Sequence, residues 1–214
     1  MKRVAITDFT LVTSLGAGRA ATLDAFQHGR SGLVQRSFET AQLPAWLGVA
    51  AGLDELTLPP GLEAFDCRNN RLAEAALRSD GFADAVRAAA ARHSAHRVGV
   101  MLGTSTSGIL QTEIAYRQRD ASTGALPAWL NYETTHNTCS VASYVRTALG
   151  LAGPSFVVST ACSSSAKVFA SAARMIALGL IDAAVVGGVD SLCMTTLYGF
   201  NSLELLSPAA CTAS

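Results

Sequence analysis

One segment of the chain, Ser159-Thr160-Ala161-Cys162-Ser163-Ser164-Ser165-Ala166, has the residue types of a nucleophile site. It ends an apolar run, Ser155 to Thr160, that reads as a buried strand, and opens an Ala/Ser-rich stretch, Ser163 to Gly179, that reads as a helix. A cysteine at such a junction sits beside the unpaired N–H groups of a first helical turn, where the helix dipole favours the thiolate. The turn projects the sulfur from the carboxyl end of a strand, the place where open α/β sheets bind their ligands. Small neighbours at Ala161 and Ser163 let a substrate approach closely, and the Cys162 amide is placed to face a developing oxyanion. The alternative is that Cys162 is a buried structural thiol, as most free cysteines are. The residues alone leave both readings open.

Other patterns are weaker. Ser164-Ser165-Ala166-Lys167 fits the S-x-x-K of penicillin-recognising serine enzymes, but neither lysine, Lys2 or Lys167, is followed by the Thr-Gly those enzymes require. Gly16-Ala17-Gly18-Arg19-Ala20-Ala21 matches a dinucleotide fingerprint, yet no apolar strand precedes Glu39, the acid at the right distance. No G-x-S-x-G occurs. A cysteine nucleophile normally needs a base or cation beside it. His28, His93 and His96 read as helix-terminal residues, and His136 carries no motif. Of the remaining cysteines, Cys67 precedes a helix, Cys139 is expected to pack inside one, and Cys193 and Cys211 fall in helix or tail. With no C-x-x-C and an odd number of cysteines, five, neither a zinc site nor a disulfide framework is expected, and reduced thiols in a cytoplasmic protein are.

The elements that must hold the 159–166 segment follow from hydrophobic pattern. Val4-Ala5-Ile6 reads as a short buried strand, Arg19 to His28 as a helix, and 31–65 as irregular loop with short pieces of strand. Leu72 to Arg92 reads as helices broken near Gly81, Arg97 to Gly103 as a buried strand before a small-residue loop from Thr104 to Gly108, and Cys139 to Leu149 as a helix. Ala183 to Val189 is a further buried strand, and Leu203 to Ser207 reads as a helix end. Near-continuous apolar strands alternating with helices predict an α/β fold, a mostly parallel sheet covered on both faces. Sixteen basic residues balance sixteen acidic ones, which argues against nucleic acid as a partner. The most apolar region, Ala166 to Val189, is interrupted by Lys167, Arg174 and Asp182, so no membrane span is expected. From Leu151 onward only five of sixty-four residues are charged, as expected of central core and of a surface covered by something outside this chain.

With these landmarks in order, residues 2–207 resemble the N-terminal half of the beta-ketoacyl-acyl-carrier-protein synthases, condensing enzymes of the duplicated thiolase-like fold, which implies a mostly parallel mixed sheet covered by helices. Val4 to Gly16 is similar to the family's opening strand and loop, and His28-Gly29-Arg30-Ser31-Gly32 to its helix-ending turn. Gly103 to Gly108 resembles the loop beside the acyl pocket, and Gly153-Pro154-Ser155 with Thr160-Ala161-Cys162-Ser163-Ser164 the nucleophile region. Gly187-Gly188-Val189-Asp190 with Phe200 and Leu205-Leu206-Ser207 is similar to the next strand and helix. The resemblance implies that Cys162 is the acylated nucleophile and that Thr106 and Phe200 line the acyl pocket. It also implies an acyl carrier protein as partner, its phosphopantetheine delivering the substrates, with no resident cofactor or metal. A homodimer or a synthase-like partner subunit is implied too, the interface running through 137–160. Arg68 and Arg71 are candidate contacts for an acidic carrier, although an exposed helix face explains them equally well.

The family's two histidines, the lysine supporting them and a second oxyanion amide belong to its C-terminal half, and no histidine here matches their motifs. Residues 1–207 are therefore expected to form one N-terminal domain, with 208–214 a tail leading to an absent C-terminal domain. The function expected is 3-oxoacyl-acyl-carrier-protein synthase, in fatty acid, polyketide or polyene synthesis. One alternative is a catalytically incomplete partner that dimerises with a full-length synthase, a role its cysteine disfavours. Another is a thiolase-type enzyme acting on coenzyme A thioesters.

Overall fold

A computed structural model describes residues 3–43, 45–207 and 209. Two small antiparallel hairpins come first: β1 (Val12–Thr13) with β2 (Gly16–Ala17), and, after helix α1 (Gly18–Gln27), β3 (Leu33–Gln35) with β4 (Trp46–Gly48). Helices α2 (Arg68–Arg78) and α3 (Phe82–His93) follow, separated at Gly81, then strand β5 (Val98–Gly103) and helix α4 (Ile109–Arg117). A single π-type turn over Tyr132–His136 leads to α5 (Ser140–Ala148), and the chain continues as β6 (Ser155–Val158), α6 (Ser164–Ala177), β7 (Ala183–Gly188) and α7 (Met194–Ser202).

The central sheet is parallel throughout, in the order β6-β5-β7, with Val100 opposite Ser155 on one side and Val185 on the other. Period-two alternation sorts its side chains between two faces. Val98, Val100 and Leu102 of β5 join Val185 and Val157 against Ala73, Leu77, Val86, Val141 and Tyr144 of α2, α3 and α5. Met101, with Val186, Ala184, Phe156 and Val158, meets Val168 and Ala172 of α6 on the other face. Helices thus cover both faces, as near-continuous apolar strands require. A separate core of Phe38, Leu47, Leu110, Cys193 and Leu197 lies beneath the β3–β4 hairpin and packs α4 and α7.

One polar group is built into the first core. Tyr144 is fully buried, and its hydroxyl donates to Glu74 Oε2 at 2.5 Å, while Arg78 Nε donates to Glu74 Oε1 at 2.7 Å. Burial, and then the Glu74 carboxylate, push the Tyr144 phenol well above its ordinary range, so it stays a donor. Tyr144→Phe leaves a buried carboxylate short of one hydrogen bond and is expected to cost about 1–3 kcal/mol. Urea unfolding measures this, and a loss below about 0.5 kcal/mol contradicts the assignment.

The opening strand expected at Val4-Ala5-Ile6 does not form: no strand covers residues 3–11, and Val4 and Ile6 are 47% and 74% exposed. Thr7, Phe9 and Thr10 line grooves along Ala183–Val189 without pairing to β7. A strand needs a partner's N–H and C=O groups, and three apolar residues do not specify one. The helix α4 was not anticipated. The tail expected over 208–214 lies outside the described residues apart from Ala209, and so does Cys211.

Candidate active site

The turn between β6 and α6 is held in an uncommon backbone conformation. Ala161 has φ +52°, a left-handed value that non-glycine residues rarely adopt. Three hydrogen bonds converge on its carbonyl: from Ser164 N at 3.1 Å, Ser164 Oγ at 2.6 Å and Ser105 Oγ at 3.2 Å. Ser164 Oγ also accepts from Thr160 N at 2.8 Å, and Ser163 Oγ donates to Thr160 O at 2.9 Å. Ser163 and Ser164 therefore brace the turn that holds Cys162. Its thiol is free and exposed, two residues before the first residue of α6, and has no hydrogen-bond partner among the described residues.

Two glycines let α6 start where it does. A Cβ on Gly103, the last residue of β5, would lie 2.6 Å from Ser164 C and Ser165 N, and one on Gly188, the last residue of β7, would collide with the Ser165 side chain. The carboxyl ends of both strands thus form a notch that seats the first turn of the helix.

The loop after β5 completes the surroundings. Asp190 Oδ1, just beyond β7, accepts from Ser105 N at 2.6 Å, Thr106 N at 3.0 Å, Thr106 Oγ1 at 3.0 Å and Thr104 Oγ1 at 3.1 Å. Thr106 is buried, and its hydroxyl also accepts from Ser191 N at 3.0 Å, so only its methyl is left without a polar role. Phe200, on α7, is 47% exposed. Glu113 of α4 anchors that helix by accepting from Met194 N at 2.9 Å and Thr195 N at 2.6 Å. Grooves of about 270, 250, 140 and 90 Å³ open elsewhere, and neither Cys162, Thr106 nor Phe200 lines these four.

The other candidates sort by geometry. Arg68 is buried, paired with Asp54 and stacked 5.5 Å over the Phe38 ring, so it does not present its charge to an acidic carrier, correcting one expectation. Arg71 is engaged by both oxygens of Asp66 at 2.6 Å. Cys139 is exposed at the start of α5 rather than packed inside it, because the apolar face of that helix begins with Val141 and Ala142. His136 hydrogen-bonds Thr112 Oγ1 through Nδ1 at 2.7 Å and stacks on Tyr132. The Gly16–Gly18 segment joins a two-residue antiparallel hairpin to α1, which removes the dinucleotide reading. No group of three or more histidine, cysteine and acidic residues among the described ones could hold a metal, and no described helix is long and apolar enough to cross a membrane. The sequence reading missed Asp190 as the hub of the 104–106 loop. Its only signal was an acid directly after a G-G-x strand end.

The thiols differ enough in setting to be told apart chemically. Desolvation pushes Cys67 up to about 11 and also raises Cys193. Native iodoacetamide is expected to modify Cys162 and Cys139 on the order of tenfold faster than Cys67 or Cys193, read by peptide mapping. Equal rates at Cys162 and Cys67 contradict the exposed turn.

A family model for the N-terminal domain of beta-ketoacyl synthases matches residues 69–214. Among solved structures, a ketosynthase in complex with its chain length factor from Xenorhabdus doucetiae superimposes with a TM-score of 0.77 at 32% identity, covering 95% of this chain and 52% of that one. The 3-oxoacyl-[acyl-carrier-protein] synthase 2 of Vibrio cholerae is 25% identical over 96% of this chain and 50% of its own length. Nodulation protein E of Rhizobium meliloti is 32% identical over 55% of this chain and 29% of its own. The chain spans about half the length of the synthase and the ketosynthase it matches. It belongs to the beta-ketoacyl synthase family.

Proposed function

We propose that this chain is the nucleophile-bearing part of a 3-oxoacyl-acyl-carrier-protein synthase and that Cys162 takes up the acyl group. The observation that carries this reading is the exposed, unpartnered Cys162 thiol at the mouth of α6, in a turn that Ser163 and Ser164 brace. The Cys162 thiolate attacks the carbonyl carbon of an acyl thioester on a carrier's phosphopantetheine. The carbon–sulfur bond to the carrier breaks, and the pantetheine thiol leaves with a proton. The Cys162 amide, at the same helix mouth, supplies oxyanion stabilisation. In the complete reaction a malonyl-carrier loses carbon dioxide, and its C2 carbanion attacks the acyl carbon and expels the Cys162 thiolate as the 3-oxoacyl thioester forms. Residues 1–207 act as the N-terminal domain in this scheme, and the groups that polarise the malonyl thioester come from a C-terminal half.

Thr106 and Phe200 border the acyl chain in this reading. The Thr106 hydroxyl is engaged by Asp190 and Ser191, which favours a hydrocarbon tail beside it. The chain works beside a second synthase-like subunit, which fits the charge-poor stretch after Leu151; this reading also sets it in the cytoplasm, without a resident cofactor. Incubating the protein with a hexanoyl-carrier thioester, with hexanoyl-coenzyme A in parallel, is expected to add one acyl mass at Cys162, faster from the carrier. A Cys162 that iodoacetamide alkylates but neither thioester acylates overturns the proposal. Faster acylation from coenzyme A assigns it to thiolase-type chemistry instead.

A further inference from the structure

The hydrogen bonds around Asp190 extend beyond their own loop. Its Oδ1 gathers two backbone amides and two hydroxyls from Thr104, Ser105 and Thr106. Thr104 Oγ1 accepts in turn from Ser107 N at 3.1 Å and from the buried Asn69 Nδ2 at 3.4 Å, which ties the cluster to α2. The residue in the middle of this cluster, Ser105, turns its hydroxyl the other way and donates to Ala161 O, the carbonyl directly before Cys162. We infer that Asp190 is a positioning residue for Cys162, acting through Ser105 to hold the strained Ala161 turn.

The physical argument is one of continuity and cost. A left-handed alanine costs on the order of 1 kcal/mol and persists only where its surroundings over-determine it. Two of the three donors to Ala161 O come from Ser164, inside the same turn, and move with it. Ser105 is the donor that reaches the turn from another part of the fold, and Ser105 is fixed because its amide is bonded to Asp190. A carboxylate oxygen is suited to the task, since acceptors bearing charge make stronger hydrogen bonds than neutral ones. Asp190 itself emerges from β7, the strand whose end helps seat α6, so the clamp and the seat share one frame.

The inference rests on the reading of Cys162 as the acylated residue, but its test needs no acylation. Native-state amide exchange is measured by mass spectrometry on the full chain for Asp190→Ala, Asp190→Asn, Ser105→Ala and the Asp190→Ala/Ser105→Ala pair. In Asp190→Ala, exchange is expected to rise on the order of tenfold both in the 104–107 loop and in the 160–165 turn, with β5 and α5 unchanged. Asn keeps an amide oxygen in place of Oδ1, so Asp190→Asn is expected to remain within about threefold of the parent. Ser105→Ala is expected to loosen 160–165 by itself, and the double substitution to add nothing there beyond Asp190→Ala. Loosening confined to 104–107, an additive double substitution, or faster exchange across the whole sheet overturns the inference. Failure of Cys162 to acylate in the parent bears on the proposed function and leaves these exchange results to be judged by themselves.

Discussion

Cys162→Ala is expected to remove covalent acylation, by at least about 10³-fold, while leaving unfolding free energy within about 0.5 kcal/mol of the parent. The two halves of this expectation have separate causes. Stability is spared because the thiol is exposed and no described residue hydrogen-bonds to it, so its removal opens no cavity and orphans no donor. Acylation is expected to be lost because the two serines that follow are already engaged. Ser163 Oγ is bonded to Thr160, and Ser164 Oγ is bonded to Ala161 O in a buried residue. An unactivated serine is also a far weaker nucleophile than a thiolate. Cys162→Ser is therefore expected to behave like the alanine variant. The measurements are intact mass after exposure to an acyl thioester and a urea melt. Residual acylation in Cys162→Ala that maps to Cys139 would move the chemistry to the start of α5.

How much of this was legible in the sequence depended on whether a feature carried its own periodicity. The strand at 98–103 and the helices at 68–78, 82–93 and 164–177 could be read because burial on both faces, or along one stripe, dictates a long pattern. The position of Cys162 at a strand–helix junction followed from the runs read at 155–160 and 163–179, and the structure places it between β6 and α6. Val4-Ala5-Ile6 failed for the opposite reason: its pattern is too short to specify a partner, and the residues are exposed. The helix α4 was missed because its residues are mostly polar on one side, and only Ile109, Leu110 and Ile114 face the second core. The role of Asp190 depends on a contact about eighty-five residues away in sequence, which no local pattern encodes. Arg68 looked like a surface cation until the fold laid it over Phe38 beside Asp54.

Gly103→Ala is expected to destabilise the protein by about 2 kcal/mol and, unlike most overpacking changes, to resist rescue. The added Cβ would meet Ser164 C and Ser165 N at 2.6 Å, backbone atoms of the helix that follows the Cys162 turn. Backbone cannot rotate aside as a side chain can, so the first turn of α6 must shift bodily and take Cys162 with it. Gly188→Ala provides the contrast. There the new methyl meets the Ser165 side chain, its Cβ at 2.8 Å, and that obstacle can be removed. Ser165→Gly in the Gly188→Ala background is expected to recover most of the lost stability, apart from roughly 0.5–1 kcal/mol for a glycine in a helix. The same Ser165→Gly in the Gly103→Ala background is expected to recover nothing, because the colliding atoms are still there. Urea midpoints of the four variants decide the matter, with Cys162 alkylation as a second readout. If Ser165→Gly rescues Gly103→Ala as well, α6 is seated by side chains rather than by its backbone. The notch at the ends of β5 and β7 would then no longer explain why the turn before Cys162 is held where it is.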